Sequence, residues 1–139
     1  MLTAVISAIG AAIGSAIAIL ITKWLDRKAI WRAKKLAYYE EFLAAQSQAV
    51  GGPASVEGRV RLANAANTLH LIGSQSVIAA LRKYFDEFET STSERSRENH
   101  DLRLSRLIWE IRADLGDPPT KRPEDFRARS WGSGMQADL

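Results

Sequence analysis

Cysteine is absent from this chain of 139 residues. That excludes disulfides and thiolate metal sites, and it fits a reducing compartment. Histidine is scarce: His70 and His100 are the only two, and they fall in different expected helices. No glycine-rich phosphate loop, nucleophile elbow or HExxH run is present, so the spacings those chemistries demand are missing. Period-two alternation is missing as well, and with it any strand signal. The widest gap is in charge, because no ionisable side chain stands between Met1 and Thr22.

Twenty-two uncharged residues make a helix of about 33 Å, enough to cross the hydrocarbon core of a bilayer. Residues 1–22 are therefore expected to form a transmembrane helix. Ile6, Ile9, Ile13, Ile17 and Leu20 share one face. Ser7, Gly10, Ala11, Gly14 and Ala18 share the other, with Thr3, and with Ser15 and Thr22 at its margin. In lipid, small residues let two backbones approach closely, whereas bulky ones gain nothing over acyl chains. Ser7, Gly10, Ala11, Gly14 and Ala18 are thus the expected surface of self-association. A cleaved signal peptide fits poorly: no Lys or Arg precedes the apolar core, and Ile19, Leu20 and Ile21 continue it past Ala16-Ile17-Ala18.

Charge returns abruptly. Lys23, Arg27, Lys28, Arg32, Lys34 and Lys35 face one acid, Asp26, whereas the whole chain has a net charge of only +3. Everything outside this block is therefore slightly acidic, and the basic pI reports a membrane surface rather than a nucleic-acid partner. The positive-inside rule places the C-terminal part in the cytoplasm and the N-terminus outside. Lys23, Trp24, Arg27, Lys28 and Trp31 are the expected membrane-interface residues, because Trp favours the headgroup zone.

Residues 23–50 contain neither Gly nor Pro and predict a juxtamembrane stalk helix continuing the span. Its stripe is Leu25, Ala29, Ala33, Leu36, Tyr39, Leu43 and Val50, and Gly51-Gly52-Pro53 ends it. A cytosolic helical bundle is expected over 54–116. Its first helix, near 55–72, carries Leu62, Ala65, Ala66, Leu69 and Ile72 at helical spacing. Gly73 stops it and Ser74 caps the next, near 75–89, with Val77, Leu81, Tyr84, Phe85 and Phe88 on one side. The last helix, near 99–115, aligns Leu104, Ile108, Ile111 and Leu115 before Gly116 and Pro118-Pro119. Residues 117–139, with balanced charge and many Pro, Gly and Ser, predict a disordered tail in which Phe126 and Trp131 are docking aromatics. The fold class is all-α, an up-down bundle behind an anchor.

His100-Asp101 is the one place where an imidazole adjoins a carboxylate. Its simpler reading is a helix start, which Asn99 and Asp101 cap or charge-match. His70 reads as a packed or half-exposed core residue. Arg59, Arg61, Asn64 and Asn67 on the second helix, with Arg103 and Arg106 on the last, could hold a small anionic ligand through charge-assisted bonds. No catalytic residue, metal or cofactor is expected.

The segments Tyr39-Glu40-Glu41-Phe42, Gly73-Ser74 and Ile111-Arg112-Ala113-Asp114-Leu115-Gly116 make the chain resemble a group of uncharacterised small bacterial single-pass membrane proteins. Those have one N-terminal anchor and a short helical cytosolic domain. The resemblance implies a bacterial inner-membrane location and carries over no catalytic residue. The expected function is then non-enzymatic: a self-associating protein, in contact with the lipid bilayer, whose cytosolic domain binds a protein or small anion and couples it to the span. The alternative is a membrane-perturbing or pore-forming effector of a bacterial stress or antiphage system, in which Thr3, Ser7, Ser15 and Thr22 line the path.

Overall fold

In a computed structural model of the chain, residues 2–50, 55–89 and 97–128 are described, with side chains for 13–49, 55–86 and 99–128. Four helices follow one another: α1 (Leu2–Val50), α2 (Val56–Ile72), α3 (Gln75–Glu89) and α4 (Arg97–Asp114). No strand occurs among the described residues, so the protein is all-α. The chain divides into two units, Met1–Lys34 and Lys35–Leu139, and the division falls inside α1.

Among the described residues the first unit buries no side chain. Every described side chain from Ile13 to Lys34 is exposed, including Ile13, Ile17, Ile19, Leu20, Ile21, Trp24 and Ile30. Among the described residues no helix is long and apolar enough to cross a membrane. Of the expected span 1–22, residues 1–12 lie outside the described side chains.

The second unit is a helical bundle. Tyr39, Phe42 and Ala45 of α1 meet Leu62, Ala65, Ala66 and Leu69 of α2, Val77, Ala80, Leu81 and Tyr84 of α3, and Leu104, Leu107 and Ile111 of α4 in one cluster. Tyr84 sits at its centre, edge-on to Phe42 (centroids 6.4 Å apart) and to Phe85 (5.5 Å) and tilted against His100 (5.3 Å). Such offset aromatic contacts add to the burial of the rings. α3 packs mainly on α4.

Helix ends follow local chemistry. The Ser55 hydroxyl accepts the Gly58 N–H at 3.0 Å and caps α2, and Ser74 does the same for Val77 at 3.4 Å; each satisfies an otherwise orphaned donor. α4 closes in a Schellman turn. Gly116 takes a positive φ of 80°, the Gly116 N–H reaches the Ala113 carbonyl, and the Asp117 N–H reaches that of Arg112, both at 2.9 Å.

Several expectations need correction. Of the expected stripe on α1, Leu25, Ala29, Ala33 and Leu36 are exposed, whereas Tyr39 is buried and Leu43 packs against the core; Phe42, Ala45 and Gln46, off that stripe, are buried with them. Residues 35–50 of the expected stalk belong to one compact unit with α2, α3 and α4. α4 starts at Arg97, which puts Asn99 and Asp101 inside the helix instead of at its cap. The tail is also partly ordered. Trp109 Nε1 donates to the Lys121 carbonyl at 3.0 Å, and the buried Ser105 hydroxyl accepts the Ala128 N–H at 2.9 Å. Residues 117–128 therefore lie along α4 with Phe126 half-buried, while Trp131 lies outside the described residues.

Candidate functional site

α1 and α2 diverge on one side and leave a groove of about 570 Å³, lined by Tyr38 and Glu41 of α1 and by Val56, Glu57, Val60, Arg61, Asn64, Ala65 and Thr68 of α2. Val56 and Val60 are 67% and 54% exposed there, so the floor is apolar and open. Its polar rim is structured by one residue. The Arg61 guanidinium donates twice to Glu41, at 2.7 and 2.9 Å, and once to Gln48 Oε1 at 2.7 Å. The hydrogen bond from Arg61 holds the Glu41 carboxyl below its ordinary range, and Glu41 in turn pushes the guanidinium further up.

Of the six polar residues read as a ligand site, the structure brings Arg61 and Asn64 together. Both line the groove, but Arg61 already has a carboxylate and an amide. Two acids, Glu41 and Glu57, stand beside that single cation, which disfavours an anion. Arg59 and Asn67 are exposed on α2 outside the lining. Arg106 on α4 is engaged by Glu110 at 2.7 Å and stacks over Trp109 at 5.7 Å, and Arg103 is exposed on the same helix. His70 is on the exposed side of α2, with Nδ1 3.1 Å from the Ala66 carbonyl of its own helix. No group of three or more potential metal ligands occurs among the described residues.

A polar cluster that periodicity did not reveal lies at the other end of the bundle. Asp114, the last residue of α4, receives the Lys35 ammonium at 2.8 and 3.1 Å and the Tyr39 hydroxyl at 2.5 Å. The Lys35 and Asp114 side chains are 14% and 9% exposed. Burial, then the bond to Asp114, raises the Tyr39 hydroxyl far above the usual tyrosine range. An acid at a helix C-terminus opposes the helix dipole, and that misplacement was the one available signal. The partners stand 79 and 75 residues away in sequence. The cluster has the chemistry of a structural clamp between α1 and α4.

In the first unit, Ser7, Gly10 and Ala11 fall outside the described side chains. Gly14 and Ala18 are exposed, and a Cβ built on Gly14 would meet nothing within 4 Å. Thr22 bonds back to the Ala18 carbonyl at 2.9 Å. Lys23, Trp24, Arg27, Lys28 and Trp31 are all exposed, with the Lys28 ammonium 5.1 Å from the centre of the Trp24 ring. Comparison of the chain with protein-family models, curated proteins and solved structures finds no match.

Proposed function

We propose that this is a non-enzymatic, self-associating membrane protein. Residues 1–22 are its single span, the N-terminus lies outside a bacterial inner membrane, and the helical domain lies in the cytoplasm, where it binds a partner. One observation carries the reading. An unbroken helix exposes Ile13, Ile17, Ile19, Leu20 and Ile21, each more than half accessible, and the unit that holds them buries no side chain among the described residues. Water does not tolerate such a helix; lipid or further copies of it would. The uncharged run before Lys23 and the cations after it supply length and orientation.

Of the two ligand classes, the groove favours a protein segment over a small anion. Its floor is Val56 and Val60, its rim carries two carboxylates, and its one guanidinium is occupied. An apolar anchor flanked by a basic residue is the complementary chemistry. Coupling to the span would run through α1, which has no Gly or Pro between Ser15 and Val50.

Alkaline carbonate extraction of bacterial membranes tests the anchor. A C-terminally tagged full chain should stay in the pellet, and the same chain without residues 1–22 should be released. Recovery of the full chain in the supernatant overturns the proposal. A C-terminal fluorescent-protein fusion, which matures only in the cytoplasm, should glow.

A further inference from the structure

We propose that residues 23–34 bind anionic phospholipid headgroups through Lys23, Arg27, Lys28, Arg32 and Lys34, arranged around Trp24 and Trp31. The inference rests on the membrane reading above and names the lipid class at that boundary. All seven side chains are exposed. None of the five cations is engaged by a carboxylate among the described residues, so their charge is available.

At about 100° per residue, Trp24 and Trp31 lie within some 20° of each other on the helix. Lys23, Arg27 and Lys34 fall to one side of that aromatic line, Lys28 and Arg32 to the other, and Asp26 falls off this face. The Lys28 ammonium lies over the Trp24 ring, 5.1 Å from its centre, which keeps a cation on the aromatic line that favours the headgroup zone. The next cation, Lys35, does not belong to the set, because Asp114 holds it in the bundle at 2.8 Å. The binding segment therefore ends at Lys34. Its length is about 17 Å, close to one headgroup layer plus a Debye length. Five cations against one acid leave an excess that zwitterionic lipid cannot neutralise. Acidic headgroups neutralise it.

Trp24 and Trp31 report the contact themselves. The full chain is reconstituted in phosphatidylcholine vesicles containing about one lipid in five as phosphatidylglycerol, an anionic fraction that gives a substantial surface potential. The bromine is carried on the acyl chains of either the glycerol or the choline lipid, at equal bromine content. Subtracting a Trp24→Phe, Trp31→Phe chain removes the signal of Trp109 and Trp131. Quenching by the brominated anionic lipid should exceed that by brominated choline lipid by about twofold or more, given roughly fivefold attraction per cation. The excess should vanish when the five cations are replaced by Gln, and should shrink at about 0.5 M salt. Equal quenching by the two lipids overturns this inference and leaves the anchor intact. No quenching by either overturns the anchor, and the lipid site with it.

Discussion

Asp114 shows how one residue can hold two distant parts of the chain in register. Its carboxylate is nearly buried, sits at the unfavourable end of α4, and is made tolerable by Lys35 and Tyr39. Removing one partner of such a pair strands the others, which is costlier than removing all of them. Asp114→Ala should therefore destabilise the helical domain by about 3 kcal/mol. The triple change Lys35→Met, Tyr39→Phe, Asp114→Leu should recover most of that loss. Urea unfolding of residues 23–139 measures both, and a triple variant as unstable as the single one would contradict the clamp. The buried tyrosines give the domain an alkaline limit. Burial pushes the Tyr84 hydroxyl up to about 12, with Gln46 opposing, and raises Tyr39 further. A folded-state value above the unfolded value of about 10 means that the stabilisation is complete below pH 10 and is lost as pH rises through the folded value. Between pH 10 and 12, Tyr84 alone should cost the fold about 2 kcal/mol. Tyr84→Phe should flatten that part of the stability–pH curve, and an unchanged alkaline slope would count against the assignment.

Among the elements, the glycines at helix ends separate two kinds of requirement. Gly116 needs its positive φ, whereas Gly73, the stop after α2, has an ordinary φ of −72°. What Gly73 needs is space: a Cβ there would lie 2.9 Å from the Leu69 carbonyl oxygen and 3.2 Å from Val77 Cγ1. Gly58, in the first turn of α2, would meet only the Ser55 hydroxyl, at 3.3 Å. Gly73→Ala should then destabilise by about 1–2 kcal/mol through crowding, and Gly58→Ala should stabilise by about 0.5–1 kcal/mol through helix propensity. Thermal melts of the two variants should move in opposite directions; shifts of the same sign would refute the steric account. The helix limits were legible because Ser55, Gly73, Ser74 and Gly116 punctuate the chain locally. The faces of α2 and α3 were legible too, from Leu62, Ala65, Ala66 and Leu69 and from Val77, Leu81 and Tyr84. The buried face of α1 was legible only in part, through Tyr39 and Leu43. Its Leu25–Leu36 stripe has helical spacing but no partner in the bundle, and periodicity cannot say whether an apolar stripe meets protein or something else.

At the scale of the whole molecule, the two units differ in what their sequences had to satisfy. From Lys35 onward, each apolar stripe has a counterpart on another helix. The groove and the Lys35–Asp114 clamp depend on which helices became neighbours, and pairings across more than seventy residues leave no local trace. Before Lys35 every described side chain is exposed, and the proposed self-association assigns the small-residue face opposite Ile13 and Ile17 to contacts with other copies. Gly14 makes that testable. A Cβ at Gly14 meets nothing within 4 Å, and isoleucine has a better single-residue helix propensity than glycine, so Gly14→Ile should leave the single helix intact. Any loss of assembly must then come from a second copy kept at a distance by the added side chain. Energy transfer between labelled full-length chains in detergent micelles should report self-association about fivefold or more weaker for Gly14→Ile, roughly 1 kcal/mol. Ile17→Leu, on the opposite face and similar in volume, should leave it unchanged. Unaltered assembly in Gly14→Ile would move the contact between copies away from the glycine face, and the open flank of α2 around Val56 and Val60 would be the next surface to mutate.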